Sequence, residues 1–77
     1  MSEAMTRLIE IVTRELDLDP DEVDPLSTAD SVVGWDSLGL LRICMAVESA
    51  FSVSIPMARV SEMSSLAAID AFLAETL

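Results

Sequence analysis

The sequence contains no histidine and a single cysteine, Cys44. Without histidine it lacks the general base of Ser-His-Asp and Cys-His catalysis, and with one cysteine it also lacks the usual zinc ligands. A lone cysteine forms no internal disulfide and indicates a reducing, cytoplasmic environment. The position of Cys44 within an apolar segment favours a small core side chain over a reactive thiol. These absences narrow the possible functions as much as any motif that is present.

Basic charge is also scarce, since four arginines stand against fourteen acidic residues and the net charge is −10. Such a surface would repel nucleic acid and anionic membranes and attract a partner with a basic patch. No apolar run approaches the roughly 18 residues of a membrane span, and the first residues do not form a signal peptide. With 77 residues, we expect one domain over 1–77, a monomer that does not insert into a membrane. The sequence suits a free-standing protein, with a domain excised from a larger synthase as the alternative.

Helical spacing of the apolar residues predicts an all-α four-helix bundle. Three main helices are predicted over about 3–16, 37–51 and 65–76, and a short one over about 57–62. Ser2, Asp36 and either Ser64 or Ser65 are the predicted N-caps of the main helices.

A long acidic loop is predicted between the first two helices, from residue 17 to residue 36. Asp19 before Pro20 predicts one helical turn over 20–23. Leu18, Val23 and Leu26 are expected to turn inward and hold the loop against the bundle.

The second predicted helix has more apolar residues than one face can hold, so we expect the other helices to surround it, with Met45 in the core. One stripe of this helix is small or polar and is predicted to be exposed. It consists of Gly39, Arg42, Ala46 and Ser49.

Asp36-Ser37-Leu38 begins this helix, with Ser37 as its first residue. The first helical turn has unpaired N–H groups and a partial positive charge, so a phosphate bonded to the Ser37 hydroxyl would be stabilised there. The tripeptide alone is common, however, and by itself favours an ordinary capped helix with an unmodified first-turn serine.

Residues 36–51, DSLGLLRICMAVESAF, followed by Ile55-Pro56, resemble the acyl carrier and peptidyl carrier protein family, of the specialised stand-alone type. The resemblance covers nearly the whole chain. Glu22-Val23 matches the beginning of the family's first loop, and Gly34 matches the glycine two residues before the motif. No single element is specific, but the ordered set at these spacings is.

The resemblance implies that Ser37 bears 4′-phosphopantetheine and that Asp36 and Leu38 complete its motif. It implies a phosphopantetheinyl transferase, using coenzyme A and Mg²⁺, as the first partner. The other implied partners are an acyl- or aminoacyl-loading ligase and downstream transferase or synthase enzymes. The cargo would be a thioester on the terminal thiol, and the chain itself would not be an enzyme.

The second helix departs from that of fatty acid carriers, which usually bears several acidic residues. Gly39 and Ser49 lack the charge, Arg42 reverses it, and Glu48 keeps it. We predict that these four residues, together with Trp35, contribute to partner recognition. Trp35 has two interpretations: a structural anchor over the loop, or part of the surface that the arm or a partner contacts.

Four residues are candidates to line a cargo pocket, with ordinary gap-filling in the core as the alternative. They are Met45, Met57, Val60 and Met63.

The cargo stays open between an acyl chain, in specialised lipid or polyketide biosynthesis, and an aminoacyl or peptidyl group. A helical interaction module that is never modified is the alternative of another class. An esterase is excluded because the chain lacks a histidine base and is too short for the fold of such enzymes.

Overall fold

The computed structural model describes residues 2–77, and the described part of the chain contains helices and no strand. The elements, in chain order, are α1 (Glu3–Glu15), α2 (Ser37–Phe51), α3 (Met57–Val60) and α4 (Leu66–Thr76), with a 3₁₀ turn (Pro20–Glu22) between α1 and α2. The predicted all-α class is confirmed, and the helix ends differ from the predicted ones by two residues at most. In the described range, no helix is long and apolar enough to cross a membrane.

Side-chain caps explain why the three main helices begin where they do. The hydroxyl of Ser2 accepts a hydrogen bond from the Met5 amide at 3.0 Å, and that of Ser65 accepts one from the Ala68 amide at 3.0 Å. At α2 the acceptor is the Asp36 carboxylate. Each cap satisfies an N–H group that has no partner within its own helix.

The core lies where α1 packs against α2 and α4. Its buried side chains come from all three main helices and from the segments between them. The largest fully buried ones are Leu8, Ile43, Met63, Leu66, Ile69, Leu73, Val12 and Val47.

The loop of residues 17–36 is held by backbone pairing with the start of α4. The Ala29 amide donates to the Ser64 carbonyl at 2.8 Å, and the Leu66 amide donates to the Ser27 carbonyl at 3.2 Å. We call this pairing of 27–29 with 64–66 the loop clasp. It fixes the middle of a segment that has little regular structure of its own.

The loop is also anchored by buried Val23, as predicted, whereas the prediction for Leu26 is wrong. Leu26 is 86% exposed. Its amide bonds to the Asp24 carboxylate at 2.8 Å, in a tight local turn that leaves the leucine side chain in solvent.

Cys44 is buried in α2, as predicted, and its burial makes stability depend on pH. Burial, and secondly the negative charge of Glu48, raise the pKa of the Cys44 thiol above its ordinary value of 9.0. The folded protein therefore retains this proton at a pH where the unfolded chain has lost it. The contribution of Cys44 to stability is fully present below pH 9.0 and is lost as the pH rises through the folded pKa of the thiol.

We expect the free energy of unfolding to decrease above pH 9.0 in the native sequence and to stay flatter in Cys44→Ala. The sequence has no lysine or tyrosine, so no other side chain is expected to titrate just above this pH. Urea unfolding at a series of pH values measures the difference. Equal pH slopes for the two proteins would contradict the prediction.

Candidate functional site

Ser37 is the first residue of α2 and is exposed. The preceding residue, Asp36, has extended backbone and provides the N-cap. Its carboxylate accepts a hydrogen bond from the Gly39 amide at 2.9 Å, and its carbonyl accepts one from the Leu40 amide at 2.8 Å. The capping function is thus fulfilled by the aspartate, as predicted.

The hydroxyl of Ser37 does not cap its helix, unlike the hydroxyls of the other serines at helix starts. Ser2 and Ser65 are themselves N-caps, and their hydroxyls accept hydrogen bonds from the first turn. Within residues 2–77 the Ser37 Oγ makes no hydrogen bond, because Asp36 has taken the capping position. The Ser37 hydroxyl is therefore available for a covalent modification, and such a modification would not remove the cap of α2.

The backbone around this hydroxyl suits an anion. Of the first four amides of α2, those of Gly39 and Leu40 are bonded to Asp36. Those of Ser37 and Leu38 have no partner in the described part of the chain. Free amides at a helix N-terminus, with its partial positive charge, stabilise a phosphate. The start of α2 therefore fits a phosphodiester on Ser37.

Gly39 is buried, which corrects the prediction that it lies on the exposed stripe and is available to partners. A Cβ at this position would overlap the carbonyl oxygen of Gly34 and come within 3.0 Å of the Leu16 side chain. Gly34 itself has φ +88°, a conformation that favours glycine. The absence of a side chain at 39 lets the loop pass directly against the first turn of α2, and this contact positions Ser37.

Trp35 is buried, only 5% exposed, so the structure favours the anchor interpretation and contradicts its prediction as a surface recognition residue. Its indole Nε1 is buried and has no hydrogen-bond partner among the described residues. Burial of the ring outweighs the cost of the unpaired N–H and fixes the chain two residues before Ser37.

The exposed face of α2 is not the stripe that we predicted. Met45, expected in the core, is 68% exposed, and Leu38 and Leu41 are 59% and 47% exposed. Arg42 and Ser49 are exposed, as predicted, and lie on the same side of the helix. The number of apolar residues in α2 was misleading, whereas the spacing of 38, 41 and 45 would have revealed one continuous stripe.

Glu48 is half-buried, and its carboxylate is already engaged. It accepts a hydrogen bond from the Ile55 amide at 2.8 Å and so ties the segment before α3 to α2. The residue that we predicted for partner recognition thus has an internal structural contact.

The four candidates for a cargo pocket do not share one environment. Met63 is 1% exposed and belongs to the core, Val60 is half-buried, and Met45 and Met57 extend into solvent. Two clefts, of about 290 and 230 Å³, lie instead along the loop, and none of the four residues lines either of them. In the described part of the chain, the structure does not bring these residues together as a pocket.

Seven of the fourteen acidic residues lie between residues 17 and 36, and all seven are exposed. The negative surface therefore lies in the loop that leads to Ser37 rather than on α2. Within residues 2–77, no group of three or more carboxylates or thiols is arranged to hold a metal ion.

The family model described as "Phosphopantetheine attachment site" matches residues 6–73 of the chain. An acyl carrier protein from Cylindrotheca sp. (strain N1) is 33% identical over 55 residues, which cover 71% of this chain and 69% of that protein. An acyl carrier protein from Phaeodactylum tricornutum (strain CCAP 1055/1) is 38% identical over 55 residues, 71% and 72% of the two chains. One from Phenylobacterium zucineum (strain HLK1) is 36% identical over 56 residues, 73% and 71% of the two chains.

The family match extends from α1 to α4 and includes the start of α2 described above. Proteins of this kind are carriers that interact with phosphopantetheinyl transferases and with biosynthetic enzymes. The chain belongs to the acyl carrier protein family and bears a covalently attached 4′-phosphopantetheine.

Proposed function

We propose that this chain tethers an acyl intermediate as a thioester on 4′-phosphopantetheine attached to Ser37, and presents it to partner enzymes. The observation that carries the proposal is the exposed Ser37 hydroxyl, which makes no hydrogen bond in the described structure although it stands at a capped helix start. Asp36, and not Ser37, caps α2. Free amides of Ser37 and Leu38 lie beside it for the phosphate.

The attachment is a transfer from coenzyme A, performed by a phosphopantetheinyl transferase. A bond forms between the Ser37 oxygen and the phosphorus of the pantetheine phosphate, and the bond from that phosphorus to the nucleotide part of coenzyme A breaks. The hydroxyl proton passes to a base of the transferase. The group supplies a terminal thiol on a flexible arm, on which the cargo is held as a thioester.

Ser37 serves afterwards as a tether and not as a nucleophile. A flexible tether keeps its cargo at a high effective concentration near a docked active site. This role as a tether suits a chain without histidine, since the general base of Ser-His-Asp catalysis is missing.

The face of α2 supports a carrier of specialised lipid or polyketide biosynthesis rather than a general fatty acid carrier. From Ser37 to Phe51 the helix has one acidic residue, Glu48, whose carboxylate is bonded to the Ile55 amide. The exposed positions have Leu38, Leu41 and Arg42 instead. Because this surface differs from the acidic second helix of fatty acid carriers, it favours partner enzymes other than theirs. The single free cysteine favours the cytoplasm as the place of action.

The intact mass of the protein purified from its own source tests the function. We expect the mass of the chain with one phosphopantetheine plus an acyl group, and loss of the acyl group alone after neutral hydroxylamine, which cleaves thioesters. A released amino acid would favour the aminoacyl carrier. An unmodified mass that stays unchanged after addition of coenzyme A and a transferase would contradict the carrier function. The remaining hypothesis would then be a helical interaction module that is never modified.

A further inference from the structure

The smaller of the two clefts, of about 230 Å³, lies within the loop between α1 and α2. It is lined by Leu18, Glu22, Ser31, Val32 and Val33, and we call these five residues the loop cleft. Ordinary ligand pockets have about 300–1,000 Å³, so the loop cleft suits one extended chain better than a compact ligand. Of its two valines, Val32 is buried and Val33 is 82% exposed, so part of its apolar wall is left uncovered.

Both walls of the loop cleft begin beside the first turn of α2. One wall ends at Val33, which directly precedes Gly34, and the Gly34 carbonyl lies against Gly39. The opposite wall begins two residues after Leu16, whose side chain also lies against Gly39. Because four residues of extended chain span at most about 14 Å, the backbone of Val33 lies within about 14 Å of Ser37. The extended phosphopantetheine arm is longer than this distance, so a group attached to Ser37 can reach the loop cleft.

Unpaired backbone groups accompany the apolar wall of the loop cleft. The amide and the carbonyl of Val33 make no hydrogen bond within residues 2–77. The polar side chains of the cleft, in contrast, are already engaged. The Glu22 carboxylate accepts a hydrogen bond from the Asp19 amide at 2.7 Å, and the Ser31 hydroxyl donates one to the Thr28 carbonyl at 3.1 Å. Val33 thus offers an amide donor and a carbonyl acceptor beside apolar side chains.

The part of the arm beyond the phosphate matches these features, because pantetheine is uncharged and has amide groups and a geminal dimethyl group. The surroundings of the loop cleft are acidic: Glu22 lines it, and Asp21 and Asp30 adjoin its walls in the chain, all three exposed. These charges do not repel an uncharged arm. They would repel a cargo that ends in a carboxylate, with a strength that falls as salt is added.

We propose, on the basis of the proposed attachment to Ser37, that the loop cleft is the resting site of the pantetheine arm between encounters with enzymes. The geminal methyl groups lie against Leu18 and Val33, and an amide of the arm pairs with the free backbone groups of Val33. A short uncharged cargo rests there with the arm, whereas a cargo that ends in a carboxylate stays in solvent. The loop therefore selects by charge which cargo it shelters.

Isotope-filtered NMR tests the contact directly, with an unlabelled arm on an isotopically labelled protein. The labelled full chain is modified with unlabelled coenzyme A and a phosphopantetheinyl transferase. We expect nuclear Overhauser contacts from the methyl groups of the arm to those of Leu18 and Val33. Ile9, which lines the larger cleft beside α1, is the matched control position and should show none. Contacts with Ile9 instead, or no contact with either cleft, would overturn the proposal.

Replacing Val33 by aspartate should release the arm, because it removes an apolar wall and adds a negative charge. Leu26→Asp is the matched control, since Leu26 is another aliphatic residue of the same loop and is 86% exposed. Release is measured as alkylation of the arm thiol by neutral iodoacetamide, with peptide mapping to separate it from the buried Cys44. We expect the thiol to react at least about threefold faster in Val33→Asp than in Leu26→Asp. Equal rates would contradict the resting site.

Selection by charge is tested with acetyl and malonyl cargo, which differ by a carboxylate and are loaded with the arm from the corresponding coenzyme A thioesters. The contacts with Leu18 and Val33 should persist in the acetyl protein and disappear in the malonyl protein. Contacts that are equally strong in both proteins would show that the acidic loop does not select the cargo.

The intact mass separates failure of the resting site from failure of the carrier function. A chain that has the arm, but whose arm does not contact the loop cleft, rejects only the resting site. A chain that never acquires the arm rejects the attachment at Ser37 on which the resting site depends.

Discussion

Replacing Ser37 by alanine will abolish attachment of phosphopantetheine. The Ser37 Oγ is the atom that forms the new bond to phosphorus, and alanine has no atom in its place. Stability should change little, because Asp36 and not Ser37 caps α2 and the Ser37 hydroxyl makes no hydrogen bond in the described structure. The intact mass after incubation with coenzyme A and a phosphopantetheinyl transferase should rise by one phosphopantetheine in the native chain and not at all in Ser37→Ala.

Ser49→Ala is the matched control, since Ser49 is also an exposed serine of α2. It should still gain the mass of one phosphopantetheine. A mass increase that persists in Ser37→Ala would assign the arm to another residue and contradict the proposed site. A Ser37→Ala protein that is unmodified but also unfolded, as judged by circular dichroism, would contradict the structural part of the prediction.

Replacing Gly39 by alanine should destabilise the protein, although alanine is the better helix former. In an exposed helix this change would stabilise by about 1 kcal/mol. Here the new Cβ would overlap the Gly34 carbonyl, which belongs to the backbone and cannot rotate away. Overpacking of this kind costs about 1–3 kcal/mol, so the urea midpoint should fall. Modification of Ser37 should also slow, because relief of the overlap moves the loop three residues before it.

Ser49→Ala serves again as the control, because it makes an exposed substitution to alanine in the same helix. It should leave stability unchanged or raise it by about 0.5 kcal/mol. If Gly39→Ala raised the urea midpoint as well, the close contact between Gly34 and Gly39 would be wrong.

Helix positions could be predicted from the sequence because the relevant signals are local. Ser2, Asp36 and Ser65 each bond to an amide three residues later, and both partners lie in one short segment of sequence. The 3₁₀ turn followed from the Asp19-Pro20 pair in the same way. Ser37 could be proposed from its ordered neighbours, and the structure adds that its hydroxyl is free of internal bonds within the described residues.

The two sides of α2 could not be assigned correctly because they depend on what packs against the helix. Gly39 is small and predicted to lie on the surface, yet it is buried against the Gly34 carbonyl, five residues earlier in the chain. Met45 is apolar and predicted to lie in the core, yet it is 68% exposed. Composition does not distinguish an apolar residue that packs internally from one that is kept for a partner.

The loop clasp has a consequence for when the attachment site becomes ordered during synthesis. Residues 27–29 precede Ser37, but their backbone partners, 64–66, follow it in the chain and are made later. A nascent chain that ends before Ser64 has nothing to close the clasp, and contacts so distant in sequence form late because the intervening chain must first be ordered. A transferase that requires the ordered loop would therefore distinguish chains that extend past residue 66 from shorter ones, so that the arm is added only after the clasp has closed.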